Sequence, residues 1–226
     1  MKTSFAATKA FILNVEKGYS NDPNDNGNWT GGKKHDGRMI GSNKGVCAPE
    51  LETYLGRAAS VADMRNLTDA MQSAIFGANY WNRLNGNELP LGLDLMAVDH
   101  SYNRGAVTGA KLLQRLLGVL EDGHIGEVTV AAAGTVTAAD ILTRVAMLDA
   151  IDLQTSLGVA RDGDVGRVTQ TAFLALPQRR ALVVAFCAAR VHDYGTLRQV
   201  GEYGRGWDSR AEQAMHEAAV LLSAAA

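Results

Sequence analysis

Apolar residues recur at intervals of three and four along nearly all of this 226-residue chain, and no convincing run keeps the strict alternation of a half-buried strand. That pattern confines the chain to an all-α fold. Phe5, Thr8, Phe11, Ile12 and Val15 share one face of a first helix, which Ser4 is placed to cap and Gly18 to end. Ser60-x-x-Asp63 reads as a capping box ahead of the stripe Val61, Met64, Leu67, Met71 and Ile75. Pro90 opens a helix carrying Leu91, Leu95, Val98 and Tyr102, and Leu112, Leu113, Leu116 and Leu117 mark the next. Thr137-x-x-Asp140 begins a longer helix through Ile141, Val145, Leu148 and Ile151, and a last helix carries Trp207, Ala211, Met215, Ala218 and Leu222. The only β element expected is a small hairpin within residues 27–46.

With 46% hydrophobic residues and only four prolines, the chain can bury a full core. We expect residues 1–105 to form one region and residues 106–226 a second helical region packed into the same body. A formal charge of −2 excludes a protein built to coat nucleic acid. The best membrane candidate, residues 181–191, is far shorter than a span, so stable membrane insertion is not expected. The five histidines are scattered without ligand spacing, which predicts no metal and no cofactor, and Cys47 and Cys187 do not fix a redox compartment. The first residues do not read as a secretory leader.

The chemistry concentrates where the first helix ends. Glu16 adjoins the apolar stripe, where partial burial would raise its pKa and keep a proton available near neutrality. Its simpler reading is a solvated acid in a last helical turn. The following loop, GYSNDPNDNGN from Gly18 and GSNKGV from Gly41, is rich in turn formers yet carries an aromatic and several acids. Lys33, Lys34, Arg38 and Lys44 make it locally basic, which suits either an anionic partner or plain solvation.

Glu16, Gly18, Tyr19, Asn21, Asp22, Pro23 and Asp25 match the Glu-Gly-Gly-Tyr-x-Asn-Asp-Pro-x-Asp run of the glycoside hydrolase family 108 muramidases, with Lys17 in place of the first Gly. Tyr80-Trp81, Leu89-Pro90, Asp99 with Asn103 and Gly105, Leu113-Gln114, Asp122-Gly123, and Gly206-Trp207 with Arg210 follow in that family's order. The chain therefore resembles this family of phage endolysins and secretion-linked lysozymes over most of its length. The resemblance implies a lysozyme-like helical fold with a long N-terminal catalytic loop and peptidoglycan as the substrate. It also implies cleavage of the β-1,4 bond between N-acetylmuramic acid and N-acetylglucosamine, causing cell lysis. By likeness to phage-type lysozymes, Glu16 is the proton donor, and Asp25, nine residues on, helps the attacking water.

Ser42, standing before Gly45-Val46 where the family has Thr before Gly-Ile, positions that water. Thr30 competes for the hydroxyl role, and Asp22 for that of the second acid; both aspartates also read as Asx-turn residues. Tyr19, Asn21, Asp22, Thr30, Trp81, Asp99 and Asn103 are the expected substrate contacts. Asp99 and Asn103 share a helix face and read equally as a buried polar pair, while Tyr80 and Trp81 read also as core packing. Further expectations are synthesis in the bacterial cytoplasm, holin-dependent export, action on the wall in the periplasm, and a monomeric state. A lytic transglycosylase and a non-catalytic peptidoglycan-binding module are the competing functions.

Residues 113–132, LQRLLGVLEDGHIGEVTVAA, and 153–172, LQTSLGVARDGDVGRVTQTA, align without gaps at an offset of 40. In each, a helix is expected to end at Leu-Gly, a turn to form at Asp-Gly, and the Thr to cap a following helix. The element partly resembles half of the common peptidoglycan-binding fold. A helix-turn-helix duplicated only for packing is the alternative.

Overall fold

The first helix forms where the periodicity places it. In a computed structural model, which describes residues 3–15, 18–197 and 200–225, α1 runs Thr3–Val15 with Thr8, Phe11 and Ile12 buried. Ser4 does not cap it. The helix has already begun at Thr3, and the buried Ser4 hydroxyl donates instead to Oδ2 of Asp94 at 2.6 Å.

Contacts divide the chain into two units, residues 9–79 and residues 1–8 with 80–226. The first is a loop unit. After the loop come α2 (Ala48–Leu55), α3 (Val61–Arg65) and α4 (Asp69–Phe76). They enclose a core of Ile40, Val46, Leu51, Met64, Leu67 and Ile75, with Tyr19, Leu55 and Met71 packed against it. The Ser60–Asp63 capping box is present, but the single stripe expected over Val61–Ile75 is two helices. Thr68 starts a new one by accepting the Met71 N–H, while Leu67 and Ile75 stay buried on either side of the break. Among the described residues no extended strand forms; the loop is held by isolated antiparallel bridges, Ser20 to Ser42, Trp29 to Met39 and Asn43 to Val46.

The second unit is helical: α5 (Leu93–Arg104), α6 (Ala106–Leu117), α7 (Glu127–Thr135), α8 (Ala138–Ala146), α9 (Ala150–Leu157), α10 (Arg167–Leu174), α11 (Gln178–Gly195) and α12 (Val200–Ala224). Residues 181–190 are buried without interruption, so α11 is the axle of this unit, and α5, α6, α8, α9 and α12 pack around it. α5 begins three residues beyond Pro90, whose carbonyl accepts the Asp94 N–H. The long helix expected from Thr137 is also two. Thr137 caps α8, and Asp149 restarts the chain as α9 by accepting the Asp152 N–H. The apolar stripe continues across both breaks, which is why spacing alone joined them.

The two repeats fold around the same glutamine-centred turn. α6 and α9 end at Gly118 and Gly158, both left-handed, with φ of 71° and 70°. Gln114, buried at the end of α6, donates through Nε2 to Asp122 Oδ1 (2.6 Å) and the His124 carbonyl (3.0 Å), and accepts the Gly123 N–H. Gln154 does the same with Asp162, the Asp164 carbonyl and the Gly163 N–H. The threonines are not caps. Gly126 and Gly166 occupy the cap positions, and Thr129 and Thr169 lie inside the helices with their hydroxyls 3.4 and 3.3 Å from the glutamine nitrogens. A buried Gln at the centre of each turn is thus the device that was duplicated.

Among the described residues no single helix is long and apolar enough to cross a membrane; α7 and α8 reach that length only jointly and are bent by 106°.

Candidate active site

Glu16 lies outside the described residues, so the site is built from the loop that follows it. The Ser20–Ser42 bridge closes the neck of an excursion over residues 21–28, with each backbone N–H donating to the other's carbonyl at 2.9 Å. At its far side the Asn28 carbonyl accepts the N–H groups of both Ile40 and Gly41, and Asn28 Nδ2 donates to the Asp22 carbonyl at 2.9 Å. Asn28 is wholly buried and organises the excursion from inside. Nothing in its spacing distinguishes it from the exposed asparagines around it. Gly41 has φ of 85°, and a Cβ there would sit 2.5 Å from the Ser20 carbonyl oxygen and 2.6 Å from the Tyr19 ring. The backbone at the neck therefore admits only glycine.

Asp22 and Asp25 stand exposed on this excursion. Each shapes it through one oxygen: Asp22 Oδ1 accepts the Asn24 N–H at 2.8 Å, and Asp25 Oδ1 accepts the Gly27 N–H at 2.9 Å to cap a 3-10 turn over Asn26–Asn28. The Asx-turn role is real for both, and in both it leaves the second carboxylate oxygen to solvent. Asn21 is also exposed. The half-buried Ser42 hydroxyl makes no hydrogen bond among the described residues. That of Thr30 accepts the Arg38 N–H at 2.9 Å and so braces the loop.

Tyr19 is half-buried, donates to the Ile40 carbonyl at 3.3 Å and stacks beneath the Arg65 guanidinium at 4.6 Å. The basic loop is partly neutralised, since Arg38 pairs with Glu52 and Lys44 with Asp69.

The helical unit treats its expected site residues differently. Trp81 has no exposed surface; its Nε1 donates to Asn87 at 3.1 Å and its ring meets the edge of Phe5 at 5.2 Å. It presents no face for a sugar to stack on. Asp99 is likewise fully buried, paired with Arg190 at 2.6 Å and Arg210 at 2.8 Å. Burial pushes its carboxyl up, but the two guanidiniums outweigh this and hold it below the ordinary carboxylate range. Its charge is thereby spent inside the fold, joining α5 to α11 and α12. Asn103 is exposed and donates to the Tyr194 hydroxyl at 3.2 Å, not to Asp99. His100, buried one residue on from Asp99, stands 3.7 Å from Asp193. Burial and the nearby Arg190 and Arg104 keep it neutral, so that contact is not an ion pair.

Hollows open among the described residues of the helical unit. One lies between Pro177–Arg180 and the end of α12, another around Asn82, Asn85 and His124; neither includes a residue of the loop. The structure thus puts Asn21, Asp22 and Asp25 on one excursion and Tyr19, Thr30 and Ser42 on the loop that frames it, while Trp81, Asp99 and Asn103 belong to the helical unit.

The family model described as Glycosyl hydrolase 108 matches residues 9–105, the stretch that contains this loop. No curated protein matches the chain. Among solved structures, that of SagA from Brucella abortus is similar, with a TM-score of 0.67 at 24% identity over 98% of this chain and 97% of that one, which establishes the fold. A family 108 domain implies peptidoglycan as substrate, and the match over residues 9–105 supports a glycoside hydrolase.

Proposed function

We propose that the chain is an N-acetylmuramidase that hydrolyses the β-1,4 bond between N-acetylmuramic acid and N-acetylglucosamine and so lyses bacterial cells as an endolysin does. The observation that carries this reading is the family 108 match, which encloses Glu16, Asp25 and Ser42 in one segment. Glu16 protonates the glycosidic oxygen as the anomeric C–O bond breaks. Water attacks the anomeric carbon, its proton passes to Asp25, and Ser42 holds it in place. Two features support these roles: among the described residues neither the second oxygen of Asp25 nor the hydroxyl of Ser42 has a hydrogen-bond partner, whereas Thr30 already accepts a backbone N–H. Asn21, exposed on the same loop, is a polar group placed to meet substrate amides and hydroxyls. The enzyme acts as a monomer in the periplasm after synthesis in the cytoplasm and export through a holin pore.

Mass analysis of a peptidoglycan digest tests the reaction. Fragments ending in reducing N-acetylmuramic acid are expected. Anhydro ends would indicate a lytic transglycosylase, and reducing N-acetylglucosamine would indicate the other glycosidic bond.

A further inference from the structure

The start of α9, which leads into the second repeat, carries a side-chain cluster that the start of the first repeat lacks. Asp149 caps α9 through Oδ1, which accepts the Asp152 N–H at 3.0 Å, and turns Oδ2 towards Nδ1 of His192 on α11, 3.9 Å away. One oxygen of Asp149, one of Asp152 and a ring nitrogen of His192 all lie within 4.8 Å of one another, and the three residues are half-buried. Among the described residues no lysine or arginine pairs with either carboxylate. At the offset of the repeat, the positions of Asp149 and Asp152 are held by the buried Gly109 and Leu112 of α6. The duplicated turn therefore forms without acids there.

Crowding at the second site is unfavourable to the protein alone. Burial, followed by the charge of Asp149, pushes the Asp152 carboxyl up to about 6; Asp208 of α12 adds to the push, while His192 and Arg161 oppose it. A bound cation would reverse that penalty.

We propose that Asp149, Asp152 and His192 form a binding site for a divalent transition-metal ion of the Zn2+ type, which clamps the start of α9 to α11. Two carboxylate oxygens with an imidazole nitrogen are a borderline donor set, suited to Zn2+ and its neighbours, whereas Ca2+ and Mg2+ take oxygen ligands. Ligand distances of roughly 2.0–2.2 Å place tetrahedral donors about 3.4 Å apart, so the Asp149–His192 pair need close by only about half an ångström. Three protein ligands leave the remaining position to water. The thiols do not compete, because burial first of all pushes Cys47 up to about 12 and Cys187 to about 11. The site is independent of the glycosidase reading.

Calorimetric titration of Zn2+ into the chelator-treated full chain tests it, alongside thermal melts. We expect about one Zn2+ per chain, with affinity falling below about pH 6 as the ligands take up protons. Asp152→Asn keeps the Asp149 cap and His192→Gln leaves both acids, and each should weaken binding at least tenfold. With chelator, Asp152→Asn should melt no lower than wild type; with Zn2+, only the wild type should gain stability. Equal Zn2+ affinity in wild type and both variants, or no Zn2+-dependent rise in the wild-type melt, would overturn the proposal.

Discussion

The two units put the same residue types to opposite uses. In the loop unit Asp22 and Asp25 stand in solvent, each spending one oxygen on a backbone turn and keeping the other free. In the helical unit Asp99 is sealed against Arg190 and Arg210, and Gln114 and Gln154 are buried at the centres of duplicated turns. An acid held by backbone N–H groups on an exposed loop can still exchange protons with water. One neutralised by two guanidiniums inside a helix bundle fixes geometry and does little else. Burial and partner, not residue type, decide which aspartates are open to chemistry.

The widest gap between the units should appear at Asp99. Asp99→Ala leaves Arg190 buried without its partner, and a loss of about 3–5 kcal/mol is expected from chemical denaturation, with activity failing only as the fold fails. The pH dependence follows from the same pairing. The folded carboxyl is held below its unfolded value, so its contribution is present above about pH 4 and disappears as pH falls through the lower folded value.

The repeats come next. Gln154→Ala and Gln114→Ala each remove the donor to a carboxylate and a carbonyl and leave a glycine N–H without its acceptor, for a loss of about 2 kcal/mol each. The two copies can be told apart. The Ile125 carbonyl accepts from Asn85, whereas the matching Val165 carbonyl accepts from Gln170 of the adjacent α10. Gln114→Ala should therefore disturb the neighbourhood of Asn85, visible as lost amide-exchange protection there, and Gln154→Ala should not.

The smallest effect on stability is expected at Asp25. Asn in its place can still accept the Gly27 N–H, so Asp25→Asn should change stability by no more than about 0.5 kcal/mol while lowering wall hydrolysis by about a hundredfold. Asp22→Asn, compared in the same assay, should cost less activity. If the order reverses, Asp22 is the second acid.

Local features were the legible ones. The buried face of α1, the capping box at Ser60, the turn chemistry of Asp22 and Asp25, and the Leu-Gly and Asp-Gly punctuation of the repeats all follow from neighbours in sequence. The helix breaks before α4 and α9 were obscured by apolar stripes that continue across them, although Thr68 and Asp149 are good cap residues and were the available signals. What could not be read was tertiary. The helix spacing allowed a buried Asp99, but Asp99 meets Arg210 across 111 residues and nothing local marks that pairing. Asn28 is similarly hidden: its importance lies in carbonyl and amide bonds made only once residues 38–42 fold back along the loop.

The central claim is that the single carboxylic acid of Glu16 drives wall hydrolysis by residues 9–105. The rate of turbidity loss of peptidoglycan suspensions with wild type beside Glu16→Gln measures it directly. The account predicts a fall of about 10²-fold or more with an unchanged melting profile; a Glu16→Gln enzyme that clears the suspension as fast as wild type would contradict it.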